Sequence, residues 1–447
     1  MQPLDRRQFL KQSLAATVAS TFAIGRGGAV GANEKVNMAF VGIGNQAEID
    51  VRALLKTGLV NPVAFCDVDA KAGAKLRTEY PNVPVFKDFR VLFDKMGKQF
   101  DAILVGTPDH THFPVCMLAA SQGKHFYVEK PLTHTFQEAQ LLIAAEEKFK
   151  IAAQMGNQGH SGDNYYQFKA WSEAGIIRDV TRVDAFMNSP RRWHPWKFDA
   201  YQTGETLPST LDWDTWTGPA NEHPYSQYLH PGNWRSWFDY GNGAFGDWGP
   251  HILDTCHRFL KLGLPTKIEA IKLEGRRKDI FPMASTIRFS FPARGAMPPC
   301  EVTWYDGVEN QPTPPPEMEG AKLPKNGKII YGKDLVFTGQ THASPLSIVP
   351  KAKARDMKAT LPSYSTEETK DHARNFVLAC KGEMKCKSTM AVAAPLTQVF
   401  LLGVIAQRLG GALEFDPATR QITNNPAANA LLNPAPRKGW EEFYKMV

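Results

Sequence analysis

Two short stretches of this 447-residue chain hold side chains that could do chemistry together. Lys130 lies in Gly123-Lys124-His125-Phe126-Tyr127-Val128-Glu129-Lys130-Pro131. Asp247 and His251 lie in Gly241-Asn242-Gly243-Ala244-Phe245-Gly246-Asp247-Trp248-Gly249-Pro250-His251-Ile252-Leu253-Asp254. An ammonium group stabilises a developing alkoxide and lowers the pKa of a nearby base. An imidazole titrating near neutrality can take the proton of a secondary alcohol. If a helix starts near Asp247, with Pro250 tolerated in its first turn, Asp247, His251 and Asp254 share one face. Other readings stay open: the same three side chains could hold a divalent metal, His251 could be structural, and Asp254 could only anchor the loop.

A second set of residues suits a dinucleotide. A strand-like run over 36–41 ends in Gly42-Ile43-Gly44-Asn45-Gln46-Ala47, and an apolar-periodic stretch follows to Leu55. Gly42 and Gly44 permit a tight turn and close backbone approach, and Ala47 keeps the helix near the strand. The helix amino terminus, with Asn45 and Gln46, faces the pyrophosphate. A second run, 63–66, ends at Asp67. A carboxylate there accepts both ribose hydroxyls and repels a 2'-phosphate, so NAD is expected over NADP. Asp67 could instead cap a turn, and Asp69 competes for the ribose.

The elements that must position these groups alternate. Strand patterns at 36–41, 63–66, 102–105, 125–128 and 151–155 are separated by helix patterns at 46–55, 70–79, 88–98, 113–122 and 136–148. Such alternation specifies an α/β domain, a doubly wound parallel sheet with helices on both faces, over 34–157. Strand patterns then recur at 180–187, 267–273, 285–291, 301–305 and 335–338, with helix patterns at 366–380 and 390–409. They predict an α+β domain over 158–447 with an open, predominantly antiparallel mixed sheet. Five prolines in 311–325 predict an extended surface loop. Seven of the ten tryptophans (193, 196, 213, 216, 234, 237 and 248) cluster among arginines, histidines and glycines. Aromatic faces stack on sugar rings, so this stretch reads as a carbohydrate lid in which one or two tryptophans touch substrate and the rest pack.

The order of the G-x-G turn, Val105-Gly106-Thr107-Pro108-Asp109-His110-Thr111-His112, G-K-H-x-x-x-E-K-P and the Asp247/His251 stretch resembles the Gfo/Idh/MocA oxidoreductases. These are NAD(P)-dependent enzymes acting mostly on sugars and cyclitols. The resemblance implies that Lys130 reaches nicotinamide and the substrate hydroxyl, that Pro131 positions it through a bond that is often cis, and that Glu129 is a positioning residue. It places Thr107, Pro108, Glu129 and Lys130 with Gly42, Gly44, Asn45, Gln46 and Asp67 around the cofactor. At the carboxyl end of a strand, where such sheets bind ligands, His112 is a further cofactor candidate and His110 could contact cofactor or substrate; either could instead be a capping or surface residue at a helix start. It gives Asp247 to substrate binding and His251 to acid/base work. Asn242 and Gly246 depart from the commoner residues at their positions. Trp234-Arg235 resembles a subgroup of exported members, which makes both substrate-binding candidates and Arg235 a ligand for a hydroxyl or carboxylate. The second sheet is commonly an oligomer interface in the family, so a homodimer or homotetramer is expected.

The amino terminus reads as an address. Asp5-Arg6-Arg7-Gln8-Phe9-Leu10-Lys11, an apolar core over 14–24 and the small residues Val30-Gly31-Ala32 resemble a twin-arginine export signal over 1–32, with the periplasm as destination. A protein exported folded can capture its cofactor first, so tightly bound NAD is expected. The formal charge of +7 falls nearer to neutral without that segment, and no long basic run suggests nucleic acid or an anionic membrane. No later segment reads as a membrane span. The six cysteines lack C-x-x-C spacing and read as buried thiols; Cys380 and Cys386 alone are near enough in sequence to pair locally. The expectation is an exported dehydrogenase acting on a sugar, cyclitol or glycoside without a metal. Two alternatives are a glycosidase or lyase that uses bound NAD transiently with no net redox change, and a catalytically idle sugar-binding protein.

Overall fold

Short apolar runs buried on both faces build the first sheet. In this computed structural model, residues 34–188, 196, 198–364 and 370–447 are described; the expected signal over 1–32 and Trp193 lie outside the described residues. The strands β1 (Val36–Val41), β2 (Val60–Cys66), β3 (Val85–Phe86), β4 (Ala102–Val105), β5 (His125–Val128) and β6 (Ala153–Met155) run parallel in the order β3-β2-β1-β4-β5-β6. Every residue of β4 and β5 is buried, as in a sheet covered by helices on both sides. Strand order reverses between β1 and β4, which opens a crevice at their carboxyl ends. The helix expected over 113–122 starts earlier, at Asp109, with Pro114 inside it. The helix Phe136–Phe149 opens with a capping box in which Glu138 N donates to the Thr135 hydroxyl and Thr135 N donates to the Glu138 carboxylate.

The second sheet has nine strands: β7 (Arg182–Met187), β8 (Lys267–Glu274), β9 (Ala284–Phe291), β10 (Cys300–Asp306), β11 (Asn326–Tyr331), β12 (Val336–Gly339), β13 (Ser347–Val349), β14 (Ala412–Asp416) and β15 (Gln421–Ile422). Their order is β13-β12-β11-β7-β10-β9-β8-β14-β15, with β7 and β10 parallel and the other pairs antiparallel. This is the expected open mixed sheet. Strand β11 escapes sequence reading because Lys328 interrupts its apolar run. That lysine is 1% exposed. Its ammonium donates to Ile252 O at 2.9 Å, Thr255 Oγ1 at 3.2 Å and Asn164 Oδ1 at 3.3 Å, which offsets the cost of burying it.

The helix Met390–Leu409 packs against Phe136–Phe149, against Gly243–Ile252 and against β6, β8 and β9. It is long and apolar enough to cross a membrane, contrary to the expectation that no later segment would be, but most of it is buried in this core. Two later segments complete the first lobe. Ala373, Phe376, Val377 and Cys380 of the helix His372–Cys380 share a cluster with Met38, Phe40, Val51 and Leu104. Near the carboxyl terminus, the Trp440 and Phe443 rings pack on Phe89, Tyr444 packs on Phe113, and the Tyr444 hydroxyl donates to Glu138. The tryptophans form a core of their own: Trp216, Trp234 and Trp237 are buried with Leu229, Tyr240 and Ile280, and Trp196 and Trp213 pack against them. All six cysteines are free.

Candidate active site

The crevice above β1 and β4 is a cleft of about 480 Å³. Gly42 has φ +79°, and a Cβ there would lie 2.6 Å from the Gly106 carbonyl carbon. A Cβ on Gly106 would in turn lie 2.4 Å from that of Ala47, so this pair sets how closely helix and sheet approach. At Gly44 a Cβ would approach only Ala72, at 3.5 Å. The space above Gly44 belongs to the cleft, as a pyrophosphate cradle requires. Asn45 holds φ +50° at the start of the helix Gln46–Lys56 without a side-chain cap, Ala47 N donates to Gly44 O at 3.1 Å, and the positive end of the helix faces the cleft. Thr107 and Pro108 line the same wall.

Asp67 sits where the ribose acid should. Its Oδ2 accepts from Ile43 N and its Oδ1 from Asp69 N, both at 3.0 Å, which fixes the carboxylate against the glycine turn. Burial pushes this carboxyl up, and hydroxyl donors would favour its charged form. Asp69 instead caps its own turn, accepting from Lys71 N, and bridges to Leu211. The residues thus fit a nicotinamide dinucleotide: the turn would hold its pyrophosphate and Asp67 its ribose. The opposite wall comes from the second lobe. Ala70 N donates to Thr210 O, Asp212 N donates to Val68 O, and Trp216, His230, Trp234 and Arg235 face the cleft. Trp234 therefore stands over the cofactor side.

The Lys130–Pro131 bond is cis. Lys130 Nζ donates to Asp247 Oδ1 at 2.9 Å and to Asp247 O at 3.3 Å. Arg235 Nε lies 3.8 Å from the same carboxylate oxygen, with its guanidinium 4.1 Å over the Trp234 ring. The two departures from the family pattern serve this junction. Asn242 Nδ2 donates to Thr133 O and Asn242 N to Asp109 Oδ2, while Gly246 lets its helix close on Asn242 and Pro131. Burial raises the Asp109 carboxyl to about 6.

The helix carrying these groups spans Gly243–Ile252, and a second helix, Asp254–Phe259, follows Leu253. It begins before Asp247, and Pro250 lies inside it. Asp254 does not join Asp247 and His251; its Oδ2 accepts from His160 Nδ1 at 2.8 Å. The metal alternative fails on that point, and among the described residues no group of three or more His, Cys, Asp or Glu could hold a metal. His251 stacks on His342 with centroids 4.0 Å apart and planes at 20°. His342 N donates to His251 O at 2.9 Å, and Trp248 meets both rings edge-on. His342 holds φ +55° in the loop between β12 and β13, pressed on Gly159. Burial and the Lys130 ammonium keep its imidazole below the ordinary range. Sequence reading missed it, and the available signal was slight: a lone histidine in a short polar run between two strands.

Three expected contacts lie elsewhere. Each ring nitrogen of His112 faces a carbonyl, Pro131 O and Thr107 O, both at 2.8 Å. His110 lies between Tyr240 O and Trp216 O in the same manner. Burial lowers His110 to about 3 and His112 to about 4, and neither ring lines the cleft. Glu129 points away from the cleft into a buried polar cluster with Asp50 and Gln158.

A parallel sheet with a glycine-turn cleft, joined to a mixed-sheet lobe whose helix sets an aspartate on the lysine and a histidine one turn on, defines a two-domain NAD-binding oxidoreductase. Residues 36–157 match the Gfo/Idh/MocA "oxidoreductase family, NAD-binding Rossmann fold", and residues 183–290 match its "C-terminal alpha/beta domain". The two matches together cover just over half of the chain, which belongs to the Gfo/Idh/MocA oxidoreductase family. Among curated relatives, inositol 2-dehydrogenase 1 of Saccharopolyspora erythraea is 30% identical over 164 residues, 36% of this chain and 48% of the relative. The uncharacterised oxidoreductase YdgJ of Escherichia coli is 23% identical over 194 residues, 43% and 44% of the two chains. The chain spans about a third to a half of the length of the curated relatives it matches. The WlbA dehydrogenase of Chromobacterium violaceum, solved with NADH and UDP-GlcNAcA, has a TM-score of 0.58 at 14% identity, covering 87% of this chain and 98% of that one. The aldose-aldose oxidoreductase of Caulobacter crescentus, solved with glycerol, has a TM-score of 0.54 at 14% identity, covering 86% and 100%. At these identities the likeness is one of fold.

Proposed function

We propose that this protein is an exported, NAD-dependent oxidoreductase that transfers a hydride between nicotinamide and a secondary hydroxyl of a sugar, cyclitol or glycoside. The observation that carries the reading is the Lys130–Asp247 ion pair at 2.9 Å, one helical turn from His251, at the carboxyl edge of the sheet that forms the NAD cleft. Bound NAD would supply the hydride acceptor. Lys130 stabilises negative charge on the reacting oxygen. Asp247 orients the ring through its hydroxyls, and His251 accepts the hydroxyl proton. The inositol 2-dehydrogenases among the relatives support a polyol substrate.

Retention of NAD is part of the proposal, supported by the second-lobe segment that bonds to Val68 and Ala70 across the ribose end of the cleft. The Asp67 carboxylate favours NAD over NADP, although Lys71, Lys75 and Lys87 line the same rim. A homodimer or homotetramer would use the second-sheet face that carries Arg182, Arg288, Tyr305 and Tyr331, and light scattering at micromolar concentration tests it. The decisive experiment purifies the protein without added cofactor, identifies the nucleotide released on denaturation and follows absorbance near 340 nm across a panel of sugars, cyclitols and glycosides. Bound NAD reduced by one member and reoxidised by the matching keto compound supports the proposal. No bound or bindable nucleotide would overturn it.

One observation favours a second reading, a glycoside-cleaving enzyme without net redox change. Elimination next to a ketone needs a base for a carbon-bound proton besides the one for the hydroxyl, and His342 supplies a second imidazole against His251. Aglycone release with no lasting 340 nm signal would select it.

A further inference from the structure

Behind Lys130 lies a cluster that the proposed mechanism does not use. Asp50, on the helix that begins at the dinucleotide turn, is 5% exposed, and Glu129, the residue before the lysine, is 6% exposed. Gln158 Nε2 reaches both, donating to Asp50 Oδ1 and Glu129 Oε1 at 3.2 Å each, with the Tyr127 hydroxyl at 3.5 Å. One amide nitrogen, donating to both, thus holds the two buried carboxyl groups close together. Gly156 makes room for this, since a Cβ there would sit 2.3 Å from Glu129 Oε1. Asp50 Oδ2 is buried, and among the described residues no N–H or hydroxyl donor satisfies it.

Two carboxylates held this close in a buried site repel each other, and ionising both is costly. A buried acceptor left without a donor is costly, and a carboxylic acid proton would recover that cost. From this geometry we infer that Asp50 and Glu129 share one proton and hold a single negative charge behind Lys130. Asp50 is then a positioning residue that acts through Glu129 and ties the cofactor-binding helix to the lysine. Lys130 lies between two anionic groups, Asp247 in front at 2.9 Å and the pair behind. The groups facing Asp50 are Gln46 on its own helix, Gln158 after β6, and Tyr127, Glu129 and Lys130 from the end of β5. Burial agrees with the shared proton, lifting Asp50 to about 6 and Glu129 well above the carboxylate range.

The role of the pair rests on the proposed role of Lys130, but the proton does not. Infrared spectra of wild type, Asp50→Asn and Glu129→Gln at pH 8, each checked for fold by circular dichroism, should show a protonated carboxyl stretch in wild type that both variants lose. No difference in that band would overturn the shared proton. Each single variant keeps one negative charge, whereas Asp50→Asn/Glu129→Gln keeps none. With whichever panel sugar reduces the bound cofactor, the double variant should lose at least tenfold more kcat/KM than the product of the single losses, and its basic pH limb should move down by about one unit. Losses that simply multiply, with an unmoved limb, would overturn the link to Lys130. If Lys130→Met turns over normally while the infrared difference persists, the functional reading fails and the shared proton stands.

Discussion

The two sides of the cleft are built differently. The cofactor side is made largely of backbone: a glycine turn, a helix start and one carboxylate, within 26 residues from Gly42 to Asp67. The proposed substrate side is made of side chains from distant segments, Lys130 after β5, Asp247 and His251 on one helix and His342 on a loop more than 200 residues from the lysine. Backbone sites depend on what a residue lacks, and side-chain sites depend on what it carries. Substitutions should therefore fail in different ways on the two sides.

The largest effect should come from adding atoms on the cofactor side. Gly42→Val puts branched carbon where a single Cβ already lies 2.6 Å from Gly106, at a φ that disfavours side chains. NAD affinity by calorimetry should fall by about 100-fold or more; ordinary affinity would break the comparison. On the substrate side, His251→Ala should lower kcat by about 10² while NAD affinity stays within about threefold. Unchanged kcat would remove His251 from the chemistry. His342→Ala sharpens the point because its loop carries no motif: a loss of about tenfold in kcat or KM is expected, and no loss would make it a packing residue. Asp67→Ser should shift the NAD/NADP affinity ratio toward NADP by about tenfold, measured by nucleotide titration.

The smallest effect concerns the brace that joins both sides, His112 between Thr107 O and Pro131 O. Its folded pKa of about 4 lies below the ordinary 6.5. The unfolded chain binds more protons between those values, so stability is fully present above pH 6.5 and falls as pH drops toward 4. His112→Gln should lose less stability than wild type over that interval, read from unfolding midpoints. Equal slopes would show that His112 does not titrate in the folded protein.

The same difference explains what sequence could reveal. The glycine turn, Asp67 and the Lys130 loop are local patterns whose spacing follows from strand, turn and helix geometry, and the alternation of elements specified the parallel sheet. Asp247 and His251 were legible because one helical turn separates them. Their helix start was not, because Pro250 read as a first-turn residue although it lies inside. His112 looked like a ligand because polar residues at strand ends usually face the crevice, yet its ring finds two carbonyls instead. The Asp254–His160 pair, the Asp50–Glu129 pair and the His251–His342 stack join residues 79 to 94 positions apart, and no periodicity records such distances. Strand β11 was hidden by the buried charge of Lys328.

The helix His372–Cys380 covers Met38 and Phe40 of β1, and this has a consequence during synthesis. A nascent chain ending before residue 370 holds every strand of the parallel sheet and the helix Gln46–Lys56 on this face, yet the part of the face beside Tyr127 lacks the cover that Phe376 gives it. The nucleotide lobe therefore cannot finish folding as its own sequence emerges from the ribosome. It waits for a segment more than 200 residues downstream, a long-range closure that slows folding and leaves the early sheet dependent on chaperones. Truncation at residue 370 should give a chain that aggregates, even though every residue of the dinucleotide turn is present.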